Sequence, residues 1–224
     1  MSTGTRPDVH GTAWAAHAHW LLGHDDDALA SCDDAIKLAR AIDQPYSLAA
    51  ALAYGSITSQ MRHDKAQLTD TVGELRELCD RHGFAYYREW GLVLQGWSRA
   101  GESGIALARQ GIGNLRSQGA FARMPYWLSL LADLLARSGQ HDAARATLDA
   151  ALITGQAHDD VWWLPEVIRM RARHDEDELV ALSRLHAAAD LATANGSVAL
   201  LRRCQRDLAA RGADAAFPGV LPVA

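Results

Sequence analysis

Pairs of small residues set seven apart recur along this chain, and they constrain its fold more than any other feature. The pairs are Ala28 with Ala35, Gly104 with Gly111, Ala144 with Ala151 and Ala181 with Ala188. Leu68 and Leu75 hold the same register with larger side chains, and the first members of the five follow one another at steps of 40, 36, 40 and 37 residues. Residues seven apart lie on one face of a helix, two turns on, where a small side chain lets a neighbouring backbone come close. A period near 40 marks an array of helical units, each burying its apolar face against its neighbours.

Helical periodicity runs almost throughout, and no alternating or β-branched stretch argues for a sheet, so the predicted class is all-α. The breaks fall at regular intervals, at Gly23, Pro45, His63, Gly83, Gly101, Gly119, Gly139, Gly155, His174 and Gly196. Glycine closes a helix in the left-handed conformation, and an Asp or Ser close behind it caps the next one. This predicts five hairpins, 12–23 with 25–42, 46–62 with 65–82, 84–100 with 102–118, 121–138 with 141–155, and 159–173 with 176–195. A closing helix at 197–211 alternates apolar and charged faces, which suits it to end the stack. The flanks, 1–11 and 212–224, read as a flexible lead and a flexible tail.

The formal net charge of −5 provides no clustered basic face for a phosphate backbone, so direct nucleic-acid binding is not expected. No run of about 18 apolar residues is present to span a bilayer, and the opening MSTGTRPDVHGTA lacks the apolar core of a secretory signal. Cys32, Cys79 and Cys204 show no metal-ligand spacing and read as reduced packing thiols in a cytoplasmic protein.

Ten histidines raise the question of a metal, most densely at His10, His17, His19 and His24 ahead of Asp25, Asp26 and Asp27. On a helix His17 and His19 point to nearly opposite sides, and the acidic triplet suits a helix start, so no metal or other cofactor is expected. The carboxylate pairs Asp33-Asp34 and Asp159-Asp160 fall on faces or helix starts where nothing shifts their pKa. The chain has no GxSxG elbow, and an enzyme with an unrecognised His/carboxylate site stays only as a residual reading.

Residues 17–42, HAHWLLGHDDDALASCDDAIKLARAI, and 128–152, LSLLADLLARSGQHDAARATLDAAL, place a turn glycine (Gly23, Gly139) five residues before the small Ala28 or Ala144. In the second stretch the bulky Leu148 and the small Ala151 follow in the order of a tetratricopeptide repeat, which both stretches resemble. The run 14–211 is similar to the tetratricopeptide tail of large bacterial signalling proteins that join a nucleotide-cyclase or helix-turn-helix output domain to a STAND-type ATPase. The likeness rests on WLLGHDDDAL from Trp20, Gly96-Trp97, GIALARQGI from Gly104, Trp162-Trp163 and ANGSVALLRRC ending at Cys204. Two features depart from the pattern: the Leu68/Leu75 pair, and a Gly101–Gly104 turn two residues shorter than the one from Gly139 to Ala144. The sequence also holds no GxxxxGK[ST] phosphate loop.

The resemblance implies a right-handed superhelical solenoid of about five hairpins and a capping helix. Its role would be that of a non-catalytic interaction module in bacterial signalling or transcriptional regulation, with a protein or peptide partner in the concave groove. If the first helix of each hairpin lines that groove, the small-residue register places His17 and Trp20 there from the first unit and Ala53, Ile57 and Gln60 from the second. The third contributes Tyr86, Glu89 and Val93, the fourth Tyr126, Ser129 and Asp133, and the fifth Trp163, Glu166 and Met170, with Trp162 left in the packing. Aromatic anchors among carboxylates suit an amphipathic or basic peptide, because cations stack on such rings. A compact pocket with convergent polar groups would instead favour a small-molecule sensor. Exposed ends of a helical stack are adhesive, which leaves self-association open.

Overall fold

A computed structural model describes residues 4–212, and among them eleven α-helices and no strand are present. They are α1 (Pro7–Leu21), α2 (Asp25–Ala41), α3 (Pro45–Met61), α4 (Lys65–His82), α5 (Ala85–Arg99), α6 (Gly101–Ser117), α7 (Met124–Arg137), α8 (His141–Ala157), α9 (Leu164–Ala172), α10 (Glu178–Ala194) and α11 (Val198–Ala210). Four prolines open odd-numbered helices: Pro7 and Pro45 are the first residues of α1 and α3, and Pro125 and Pro165 the second of α7 and α9. At those positions the missing N–H would have no helical partner in any case. Asp64 and Asp177 cap α4 and α10, accepting from the backbone N–H of Gln67 at 3.1 Å and of Leu179 at 2.8 Å.

Consecutive helices pair as the periodicity predicts, and the pairs stack in chain order. The even helices touch only their neighbours in sequence, whereas α1, α3, α5, α7 and α9 also touch one another in succession. The odd helices therefore form an inner layer and the even ones an outer layer, an all-α arrangement of solenoid type. The layer returns on itself, because α11 packs against both α9 and α1.

The small-residue register is where the layers meet. Ala28, Ala35, Ala144, Ala151, Ala181 and Ala188 are fully buried, and so are Leu68 and Leu75. Leu75 of α4 reaches α5 where that helix carries a glycine: a Cβ on Gly91 would lie 3.6 Å from Leu75 Cδ2. The short third turn brings α5 and α6 together at two glycines. A Cβ on Gly96 would lie 2.5 Å from the Gly104 carbonyl oxygen, and one on Gly104 2.4 Å from that of Gly96, so the two backbones are in contact.

Two helix starts differ most from expectation. The first helix begins at Pro7 rather than at residue 12; Val9 is fully buried and the Arg6 N–H donates to Ser47 Oγ at 2.9 Å, so 7–11 belong to the packed body. The ninth begins at Leu164 rather than at 159, which puts Trp162 and Trp163 in the preceding turn. Residues 213–224 of the expected tail lie outside the described residues.

Candidate functional site

The turns entering α7 and α9 are related forty residues apart. Each has a left-handed residue, Gly119 or Asp159, then two irregular residues and a short turn that delivers a proline to the second helical position. Phe121 of one turn stacks on His158 of the other, ring centres 4.8 Å apart. The residue immediately before the helix is Arg123 in one turn and Trp163 in the other, and both side chains enter the interior, where they are 8% and 2% exposed. Trp162 and Trp163 leave a turn rather than the helix expected to begin at 159. Trp162 remains half-buried against Tyr126 and Arg123, and Trp163 donates from Nε1 to Ser129 Oγ at 3.0 Å.

A ladder of polar contacts fixes the inner faces of α3, α7 and α9. Tyr126 OH donates to Gln60 Oε1 at 2.8 Å, and Ser129 Oγ donates back to the Tyr126 carbonyl at 2.7 Å. Burial pushes the Tyr126 phenol well above its ordinary value, so it acts as a neutral donor. His17 is buried and hydrogen-bonds to the Tyr54 carbonyl from Nε2 at 3.0 Å, which leaves Nδ1 as the acceptor facing Arg123 Nη1 at 3.5 Å. Burial, reinforced by the Arg123 charge, lowers its pKa to about 3, so the ring is neutral.

Beside this ladder opens a cleft of about 310 Å³, lined by Gln60, His63, Trp97, Ser129, Leu130, Asp133, Trp163, Glu166, Arg169, Met170, Arg173, Arg203, Arg206 and Asp207. Its floor is a closed network of charges. Glu166 accepts two hydrogen bonds from Arg169, each 2.8 Å, and one from Arg203 at 2.6 Å; Arg169 also donates to Asp207 at 2.6 Å. Burial alone would raise the Glu166 pKa, but Arg203 and Arg169 together hold it far below the usual carboxylate range. Arg203 also donates to the Met61 carbonyl at 2.6 Å, tying α11 to the end of α3. At the rim Trp97 Nε1 donates to Asp133 at 2.8 Å, and Arg173 holds Asp207 with two bonds of 3.0 Å.

Of the residues expected in an open groove, Gln60, Ser129, Asp133, Trp163, Glu166 and Met170 do converge on this cleft. His17, Trp20 and Tyr126 face the same interior, but they are buried, so the inner side is filled rather than an open trough. The third unit is out of register. Glu89 and Val93 face α6, where Glu89 accepts from Asn114 at 2.7 Å and pairs with Arg88 at 2.9 Å, and Val93 lies against Gly111. Trp90 and Trp97 point inward in their place, against Arg123 and Asp133, while half-buried Tyr86 packs on Tyr87 and Trp90. The slip follows from the contact of Gly96 with Gly104, which turns the Glu89, Val93 and Gly96 stripe of α5 toward α6.

The cations expected from a partner are supplied by the chain itself. Arg123 lies 5.0–5.5 Å from the rings of Trp14, Tyr54, Trp90 and Trp162, and Arg203 lies 5.0 Å from Trp20 and 5.9 Å from Trp163. Sequence reasoning missed these arginines, along with Arg169, Asp207 and His63. One signal was present: Gln60, Trp97, Asp133, Arg169 and Arg206 follow at steps of 37, 36, 36 and 37, and all five line the cleft. Elsewhere His19, His24 and Asp27 bring potential ligand atoms within 4.8 Å of one another, on a surface where His24 and Asp27 are exposed.

No family model matches this chain. It is similar to an uncharacterized protein of Rhizobium meliloti (strain 1021), 26% identical over 208 residues that make up 89% of this chain and 20% of that protein. The chain thus spans about a fifth of the length of the curated relative it matches.

Proposed function

We propose that this chain is a non-catalytic regulatory module of tetratricopeptide type, which recognises a short segment of a partner protein in the arginine-lined cleft. The observation that carries this reading is the delivery of evenly spaced residues by four successive units and the closing helix, Gln60, Trp97, Asp133, Arg169 and Arg206, to one cleft. A repeat array does this when its units are used together as one surface. The site is preorganised, since the Glu166–Arg169–Arg203–Asp207 network and the Trp97–Asp133 bond hold their side chains before any guest arrives. Glu166 is committed to two arginines and stays ionised, which favours binding over proton transfer.

The cleft sets the character of the guest. At about 310 Å³ it matches the small end of ligand-sized sites, roughly 300–1,000 Å³, so it suits a side chain or chain end rather than a long extended strand. Arg123 and Arg203 already occupy the inner aromatic faces, so a basic peptide finds few rings to stack on. Met170 and Leu130 offer apolar contact, and Arg173 and Arg206 attract an acidic group. The match to one fifth of a longer relative fits a module that works with other domains, and the likeness to signalling tails suggests a bacterial signalling or transcriptional context.

Capture from native lysate tests this reading, comparing wild type with the Met170→Gln, Arg173→Gln double variant at rim positions. The variant is expected to melt as wild type does and to lose the specific partner. If it recovers every partner the wild type recovers, the reading fails. A second reading, a small-molecule sensor, is favoured by the convergence of polar groups on so compact a cleft; it predicts a thermal shift with metabolite mixtures that the same double variant abolishes.

A further inference from the structure

Where α11 meets the ends of α1 and α3, a second cleft holds positive charge that is left without carboxylate partners among the described residues. It encloses about 670 Å³ and shares only His63, Arg203 and Arg206 with the recognition cleft. Four arginines stand on its wall, Arg62, Arg202, Arg203 and Arg206, with Asp25 as the one acid among the described residues. Of these four, Arg203 alone pairs with a carboxylate among the described residues, and that carboxylate is Glu166. Three unpaired guanidinium groups against one aspartate leave a formal surplus of two positive charges.

Arg62 departs most from an ordinary solvated arginine. Its Nε and Nη1 are buried and meet no acceptor, although such donors lose their hydration on burial and need a partner in exchange. Arg202 is set into the wall by the absence of a side chain at Gly23. A Cβ there would lie 2.9 Å from Arg202 Nη1, and the φ of +82° at Gly23 makes any replacement strained. His63 adds no competing cation, because burial and then the Arg203 charge lower its pKa; as a neutral ring it faces Arg203 Nη2 through Nε2 at 3.4 Å. Trp20 supplies an apolar wall beside these groups.

Guanidinium forks match the oxygens of a phosphate two at a time, and a surplus of two charges suits a dianion better than a single carboxylate. We propose that this seam cleft binds a small phosphate-bearing ligand, whose oxygens accept from Arg62 and from Arg202 or Arg206 and clamp α11 to the ends of α1 and α3. The site is distinct from the recognition cleft, to which Met170 and Arg173 belong and Arg62 and Arg202 do not.

Isothermal titration of the full chain with inorganic pyrophosphate, at constant ionic strength, tests the proposal. Saturable one-site binding is expected. Arg62→Ala should weaken it by about tenfold, the scale of one charge-assisted hydrogen bond, with Arg62→Lys recovering part of the loss. Arg202→Ala, at an exposed position that does not challenge folding, should also weaken it several-fold, while Met170→Gln in the other cleft should leave it unchanged. The absence of saturable binding overturns the proposal. Unchanged affinity in folded Arg62→Ala and Arg202→Ala variants overturns it equally, and neither result bears on partner capture by the recognition cleft.

Discussion

The interior of this protein buries arginine in two ways. Arg123 is surrounded by four aromatic rings and a neutral histidine, and it has no carboxylate within ion-pair distance among the described residues. Arg169 and Arg203, on the other side of Tyr126 and Trp163, are pinned to Glu166 and Asp207 by bonds of 2.6–2.8 Å. Ring quadrupoles attract a cation diffusely and tolerate small movements, whereas a carboxylate fixes the fork in one geometry. The ring-held side also opens to water, since Trp14 is 52% exposed. One region is thus an adjustable plug and the other a rigid frame, and the recognition cleft lies on the rigid one.

Removing the frame's central carboxylate is expected to have the largest effect. Glu166→Ala leaves Arg203 without a carboxylate and Arg169 with Asp207 alone, and should cost about 3–5 kcal/mol in chemical denaturation, the range for breaking a buried pair from one side. A loss under 1 kcal/mol would mean that the frame is no more rigid than the plug.

Acid should act next, and on the plug. The folded pKa of His17, about 3, is below its ordinary 6.5, so the unfolded chain takes up the proton first. The stability contributed by keeping His17 neutral is therefore complete above pH 6.5 and falls as pH drops toward 3, by up to ~1.4 kcal/mol per pH unit. Glu166, whose pKa is also lowered, adds its own loss only below its ordinary value of 4.5. Between pH 6.5 and 5, then, His17→Gln should flatten the denaturation-midpoint profile markedly, with His63, also lowered, supplying part of what remains. An unchanged slope would show that His17 does not stay neutral.

A smaller change is expected from Arg123→Met, which keeps the apolar stem and removes the charge. It should cost about 1–2 kcal/mol, the worth of a desolvated cation over rings offset by relief of an unpaired buried charge. It should also raise the His17 pKa, visible in the imidazole NMR titration, because the Arg123 charge is one cause of its depression. Smallest is Arg173→Gln at the exposed end of the frame, expected within ~1 kcal/mol of wild type by thermal melting, as for other surface pairs.

The sequence carried the architecture further than the site. Seven-residue spacing of small side chains predicted the hairpins, and Ala28, Ala144 and Ala181 all lie at helix contacts. The same register failed in the third unit, where Gly96 meets Gly104 backbone to backbone and rotates the face holding Glu89 and Val93. Pro125 and Pro165, forty residues apart, mark where α7 and α9 begin, so the turn that aims Arg123 and Trp163 inward was legible in principle. The pairing of Arg203 with Glu166 and with the Met61 carbonyl was not, because it depends on the last helix returning to the first units.

That return changes how the molecule comes apart. In an open array each unit rests only on its neighbours, and the terminal repeats fray while the middle stays folded. Here α11 cannot peel away without releasing the Met61 carbonyl, 142 positions earlier, together with Glu166 and the ring of Trp20. Helix α11 serves as a clasp joining the last unit to the first two, so the units melt together and a truncation at 197 is felt at α1 and α3 as well as at α9.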